Sequence, residues 1–191
     1  MTEKLGVFGG TFDPPHVGHL VAAINARHEL GLDRVLLVVA NVPWQKVATR
    51  EVSPAEDRFA MVEAAVKGVE GLEASRIELD RGGDSLTADT LEELSAGDRE
   101  LFLLLGSDAA AGLPTWRRVD AVRRLATMVL VRRPGAEDGR PPPGWHYTIV
   151  ESPLMDISST EVRQRLADGR PLAFLVPDAV LAYIDERGLY R

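Results

Sequence analysis

The sequence predicts an α/β fold: an open, mostly parallel sheet with helices on both faces and a small helical region at the C-terminal end. Three observations carry this expectation. Apolar runs of strand length alternate along the chain with helical patterns, which is the signature of a parallel sheet. Two Ser-x-x-Glu boxes, Ser53-Pro54-Ala55-Glu56 and Ser158-Ser159-Thr160-Glu161, mark helix starts. No internal repeat or linker interrupts the alternation, so residues 1-191 read as a single domain whose C-terminal part runs from about 154 to 191.

The elements follow in order. Residues 5–8 form a buried first strand, and Gly9 and Gly10 let the chain turn tightly without a Cβ in the way. Residues 15–30 form a helix closed by Gly31, with Asp13 as its cap and Pro14 or Pro15 in its first turn. A second strand covers 34–40, and Asn41-Val42-Pro43-Trp44-Gln45-Lys46 begins a loop. The Ser53 box opens a helix to about Lys67, residues 73–79 form a third strand, and 87–96 a further helix. Residues 100–105 are the clearest buried strand, ending in Gly106-Ser107-Asp108. A helix over 119–125 precedes a strand at 127–132, and the Pro- and Gly-rich stretch 134–144 is a surface loop. A last strand near 146–150 leads to the Ser158 box, a helix to Ala167, and a closing helix over 178–187 with Gly188 beyond. Right-handed crossovers bring the C-terminal strand ends to one edge, where open α/β sheets bind ligands. The stretches 9–19, 41–46 and 106–108 all follow strands and are expected to meet there.

Composition narrows the function. Apolar residues make up 45% and charged residues 27% of 191, as in ordinary globular proteins. The excess of 29 acidic over 22 basic residues gives a net charge of −7, which argues against coating nucleic acid but leaves room for a local basic pocket. With no cysteine there is no disulfide, thiol nucleophile or thiolate metal site. Met1-Thr2-Glu3-Lys4 runs into a strand without a signal-peptide core, and no apolar run approaches the ~20 residues that cross a bilayer. A cytoplasmic protein with no membrane partner is expected.

Chemistry concentrates in two stretches. In Gly9-Gly10-Thr11-Phe12-Asp13-Pro14-Pro15-His16-Val17-Gly18-His19, two imidazoles three residues apart share one face at a helix N-terminus, where N–H groups and the dipole favour an anion. A metal pair or two surface histidines would give the same spacing. In Ile157-Ser158-Ser159-Thr160-Glu161-Val162-Arg163, hydroxyls crowd a helix start and Arg163 lies one turn along, able to fork onto phosphate oxygens; a well-capped helix is the plainer reading. Neither G-x-G-x-x-G after the first strand nor G-x-x-x-x-G-K-[ST] is present, so dehydrogenase and P-loop readings lose their support. Asp108 just past a strand suits a ribose hydroxyl or a helix cap, and Trp44 suits either core or stacking. Arg58 and Met61 read as mainly structural.

The first stretch resembles the signature of the His-x-Gly-His nucleotidyltransferases, in detail that of bacterial nicotinate-nucleotide adenylyltransferases, and the second resembles their distal phosphate signature. Gly106-Ser107-Asp108 with Leu113-Pro114-Thr115-Trp116, and Ser85-Leu86-Thr87 with Asp89-Thr90-Leu91, are similar to further segments of that family; Leu86 replaces its usual tyrosine. Pro43-Trp44-Gln45-Lys46 looks like the actinobacterial variant of a Pro-Pro-His-Lys loop.

The resemblance implies a Rossmann-like fold and transfer of AMP from ATP to nicotinate mononucleotide, giving nicotinate adenine dinucleotide and pyrophosphate. It implies that His16, His19, Lys46 and Arg163 serve the chemistry. ATP would be bound by Gly9, Gly10, Thr11, Phe12, His16, Gly18 and His19 from the first stretch, and by Ile157, Ser158, Ser159, Thr160 and Arg163 from the second, with Gly106 and Asp108 beside the nucleotide. Thr11, Trp44, Lys46, Thr87, Leu113 and Trp116 would meet the mononucleotide, Trp116 by stacking on the pyridine ring. Mg²⁺ would be carried mainly by the ATP phosphates, with no protein ligand, and a homo-oligomer is compatible with this reading. A phosphopantetheine adenylyltransferase and a non-catalytic nucleotide sensor on the same scaffold stand as alternatives.

Overall fold

A computed structural model describes residues 2–43, 51–132, 141–153 and 155–190. The elements are β1 (Glu3–Gly10), α1 (Val17–Leu30), β2 (Arg34–Val39), α2 (Ala55–Val66), β3 (Leu72–Ser75), α3 (Ile77–Arg81), α4 (Thr87–Leu94), β4 (Arg99–Gly106), α5 (Ser107–Ala111), a 3-10 turn (Leu113–Thr115), α6 (Val119–Leu125), β5 (Thr127–Arg132), β6 (Tyr147–Glu151), α7 (Ser159–Ala167) and α8 (Asp178–Arg187). The strands form one six-stranded, all-parallel sheet in the order β3-β2-β1-β4-β5-β6, so the α/β fold class holds. The order reverses between β1 and β4, whose register pairs Glu3 with Arg99 and Val7 with Leu103. Outside the carboxyl ends of strands at such a reversal, α/β sheets bind their ligands. Residues 35–39 and 101–105 are buried without a break, as expected of parallel strands covered on both faces.

The chain divides into two compact units, each assembled from three stretches. The first comprises Met1–Gly9, Ala22–Leu36 and Leu86–Leu154. Within it, Gly6 is buried where a Cβ would come within 2.8 Å of the Val35 side chain, so glycine lets that valine pack. Helix α4 buries Ala88, Leu91 and Leu94, an i, i+3 stripe, together with Thr90. Glu3 accepts from Arg34 Nε and Arg99 Nε, each at 2.7 Å.

The second unit comprises Gly10–Val21, Leu37–Ser85 and Met155–Arg191. Its core is a cluster of Met61, Ala65, Ile157, Val162, Leu172, Val176, Val180 and Ile184. Asp57 on α2, itself buried, accepts from Tyr183 Oη at 2.8 Å and Arg187 Nε at 3.1 Å, fastening α8 to α2.

Several local expectations give way. Helix α1 begins at Val17 rather than residue 15, so Asp13 is no cap and both prolines precede the helix. Ser53 makes no cap bond: Pro54 takes the cap position of α2, and the Ser53 carbonyl accepts from Arg58 Nε at 2.8 Å. The strand predicted over 73–79 ends at Ser75 and passes into α3. Residues 106–108, read as a loop, enter the first turn of α5, with Gly106 at its cap. By contrast, Ser158 caps α7 as predicted, accepting from the Glu161 N–H at 3.1 Å. The Glu161 carboxylate turns along the helix to Arg165 instead of closing the box.

The paired Glu3 yields a pH prediction. Its hydrogen bonds to Arg34 and then Arg99 hold the carboxyl below its ordinary value of 4.5. A lowered folded-state value contributes stability that is complete above that pH and lost as the pH falls below it. Glu3→Gln is therefore expected to flatten the acid limb of the unfolding curve while leaving the slope near neutrality unchanged, as denaturant titrations between pH 3 and 7 will show; both values bracket the ordinary carboxylate range of about 4.

Candidate active site

Residues 11–16 are buried as a block, although they form no helix or strand. The carbonyls of Thr11, Asp13 and Pro14, and of Gly10 just before them, are taken up by distant donors. The Ala40 N–H donates to Gly10 O at 2.9 Å. Arg58, only 1% exposed, donates from Nη1 to Thr11 O at 2.9 Å and to Ala40 O at 2.6 Å, and from Nη2 to Asn41 O at 3.0 Å. Arg163 Nη1 donates to Asp13 O at 2.7 Å, and Ser159 Oγ to Pro14 O at 2.8 Å. In a trans peptide the carbonyl of one residue and the N–H of the next point opposite ways. The Thr11 and Phe12 N–H groups are thus turned away from Ala40 and Arg58.

Phe12 adopts a left-handed conformation (φ 48°) that lays its ring on Gly10, where a Cβ would sit 2.7 Å from the ring. The same ring meets His19 edge-on, with centroids 5.0 Å apart. His16 and His19 stack at 3.7 Å. Gly18 permits this, since a Cβ there would lie 3.0 Å from His16 Nδ1. The His16 N–H donates to His19 Nδ1 at 3.2 Å, so His19, third residue of α1, does what a glutamate does in a capping box. A neutral imidazole that accepts at Nδ1 carries its proton on Nε2 and presents it as a donor. Asp13 is 1% exposed, and its carboxylate accepts from Tyr190 Oη at 2.7 Å. Burial above all pushes the Tyr190 phenol far above its ordinary range, so it remains a protonated donor.

The second unit therefore joins the two predicted stretches: Thr11, Phe12, His16, Gly18 and His19 from one, and Ser159, Thr160 and Arg163 from the other. Arg163 also reaches Thr160 Oγ1 at 3.2 Å, Ser158 is engaged as the cap, and Ile157 sits in the apolar cluster. Arg58 links Thr11 to Asn41, joining the first two loops expected to converge. Trp44 and Lys46 lie outside the described residues.

Thr87, Gly106, Asp108, Leu113 and Trp116 belong to the first unit, as does the exposed end of β1 at Gly9. Thr87 opens α4, Asp108 is exposed in the first turn of α5, and Trp116 is half-buried just beyond the 3-10 turn. Leu113, in the 3-10 turn, is wholly buried. Arg118, left-handed at φ 57°, pairs with Asp89 and Glu92 on α4, tying the Trp116 segment to the helix that Thr87 begins. Its charge is met by these carboxylates. The Tyr190 bond, the Ser159 bond to Pro14 and the Arg163 bond to Asp13 had no local signal in the sequence.

Residues 7–165 match the cytidylyltransferase-like family. The chain belongs to that family. Within it, the chain belongs with the nicotinate-nucleotide adenylyltransferases. A protein of Saccharopolyspora erythraea named "Probable nicotinate-nucleotide adenylyltransferase" is 45% identical over 193 residues, covering 99% of this chain and 90% of that one. One of the same name from a Roseiflexus species is 44% identical, covering 100% and 99%. The fold also matches a Plasmodium falciparum nicotinic acid mononucleotide adenylyltransferase solved with NaAD, at a TM-score of 0.79 and 15% identity, covering 98% of this chain and 97% of that one. The same enzyme with APC gives 0.76 and 16% identity, with the same coverage. Among the described residues of this family member, no helix is long and apolar enough to cross a membrane.

The two glycines of the turn are expected to differ. Nothing lies within 4 Å of a Cβ built on Gly9, whereas one on Gly10 strikes the Phe12 ring. Gly10→Ala should cost about 1–3 kcal/mol and Gly9→Ala under about 0.5 kcal/mol, compared by urea midpoints.

Proposed function

We propose that this adenylyltransferase joins the AMP moiety of ATP to nicotinate mononucleotide, releasing pyrophosphate and forming nicotinate adenine dinucleotide. The observation that supports it most is the meeting of two stretches some 140 residues apart in one constellation, with Arg163 bonded to the turn that carries the stacked His16 and His19. The names of the relatives support the same reaction.

In this reading a phosphate oxygen of the mononucleotide attacks the α-phosphorus in line. A new P–O bond forms as the bond to the bridging oxygen breaks, and pyrophosphate departs with the electron pair. No covalent enzyme intermediate is required. The chain's task is to hold two anions together and to stabilise charge as it grows. His19 offers Nε2–H as a fixed donor, held by its Nδ1 bond so that little reorganisation accompanies the reaction. The N–H groups of Thr11 and Phe12 and the α7 start at Ser158, Ser159 and Thr160 suit the triphosphate, with Arg163 beside them. Lys46 adds a point charge. On the mononucleotide side we assign Trp116 to the pyridine ring, with Thr87 and Trp44 supporting, and Asp108 with Gly106 to the nucleotide.

This donor set of imidazole, guanidinium and main-chain N–H suits phosphate oxygens rather than a cation. Mg²⁺ fits as a companion of the triphosphate, since it keeps water and binds phosphate oxygens readily. When bound it neutralises phosphate charge. We further propose a cytoplasmic enzyme, single-domain in function, that works without nucleic acid or membrane.

His19→Ala should lower turnover by roughly 10²–10³ without altering the fold, the scale of losing one transition-state donor. A pyrophosphate-release assay on the variant checks this, and near-normal turnover would remove His19 from its role. In the same assay the nicotinate form of the mononucleotide should be used well ahead of the nicotinamide form, because donors built for a carboxylate reject an amide.

A further inference from the structure

The phosphate turn is fastened by a residue from the far end of the chain. Helix α8 ends at Gly188, left-handed at φ 63°, and the Leu189 N–H folds back onto Ile184 O at 3.0 Å. That reversal delivers Tyr190, which is also left-handed (φ 63°), an uncommon conformation for an aromatic residue. Tyr190 is tied: its ring packs on the apolar cluster of the second unit and its hydroxyl donates to Asp13 Oδ1 at 2.7 Å, across 177 positions of sequence. Asp13 is 1% exposed, and a buried carboxylate must be met by donors, of which the Tyr190 hydroxyl is one. The main-chain oxygen of the same Asp13 receives Arg163 Nη1 at 2.7 Å. One residue thus takes Tyr190 on its side chain and Arg163 on its backbone.

We propose that Tyr190 is a positioning residue for the ATP side of the reaction, acting through Asp13 to set where the Arg163 guanidinium points. Tyr190 touches no reacting atom in this account. It orients Asp13, the Asp13 carbonyl anchors one arm of Arg163, and the remaining guanidinium donors are thereby aimed. This rests on the adenylyl-transfer reading above. A tail that merely docks would stabilise the fold and affect both substrates alike; a tail that aims Arg163 affects ATP selectively.

The test is Tyr190→Phe, which keeps the ring and removes the hydroxyl, in an otherwise complete chain. We expect KM for ATP to rise about tenfold, the scale of one lost buried hydrogen bond, with KM for nicotinate mononucleotide within about twofold of its original value. Combined with Arg163→Ala at high enzyme concentration, Tyr190→Phe should add almost nothing further to the loss in kcat/KM for ATP, because the two act through one carbonyl. Urea midpoints accompany each variant. An unchanged KM for ATP, equal changes for both substrates, or a full-sized Tyr190→Phe effect in the Arg163→Ala background each overturns the proposal. If the unaltered protein makes no dinucleotide, the functional reading falls and this proposal with it. If it does, failure in the Tyr190→Phe arms counts against the positioning role alone.

Discussion

The constraint on which the second unit depends is the capture of a row of carbonyl oxygens in a stretch without regular structure. Between Gly10 and Pro14 the chain is buried, and buried carbonyls must find donors. Four of them do so outside any helix or sheet ladder: Gly10 with Ala40, Thr11 with Arg58, Asp13 with Arg163 and Pro14 with Ser159. The donors come from β2's end, α2 and α7. A buried guanidinium is expensive unless its donors are used, and Arg58 spends them on four carbonyls. Its charge thereby becomes a structural rivet rather than a ligand for anions.

Everything chemical nearby inherits its direction from that capture. With the carbonyl face committed inward, peptide geometry turns the Thr11 and Phe12 N–H groups the other way. Phe12 folds over Gly10 and meets His19 edge-on, while His16 stacks on the same imidazole. The bond from the His16 N–H to His19 Nδ1 then decides which nitrogen of the neutral ring carries the proton. A helix-capping interaction and a tautomer choice are one and the same contact.

Much of this was legible in the residues because the signals were local. Helices over 119–125 and 178–187 and the strand over 127–132 were read with the bounds they have, since each carries its own periodicity and stop signal. The His16–His19 pairing followed from a spacing of three. Reading failed where tertiary partners outbid local ones. Asp13 resembles a cap in sequence, yet Tyr190 claims its carboxylate and the helix starts at Val17. Ser53 and Glu56 form a box on paper, but Pro54 occupies the cap and Glu56 turns to Arg76. The 73–79 stretch alternates well enough for a strand, and its second half is a five-residue helix too short to show a period. No pattern could pair a tyrosine at 190 with an aspartate at 13, because only the folded chain brings them together.

The interleaving of the second unit has a bearing on biosynthesis. Its first stretch, Gly10–Val21, leaves the ribosome long before Met155–Arg191 exists, and the donors at Ser159, Arg163 and Tyr190 all arrive in that last segment. Pairings so remote in sequence form late, since loop-closure entropy opposes them until the distant partner is present. A nascent chain holding only the early glycine turn thus carries imidazoles without the framework that aims them. In this architecture the early turn gains its supporting donors only once residues 159, 163 and 190 have been synthesised.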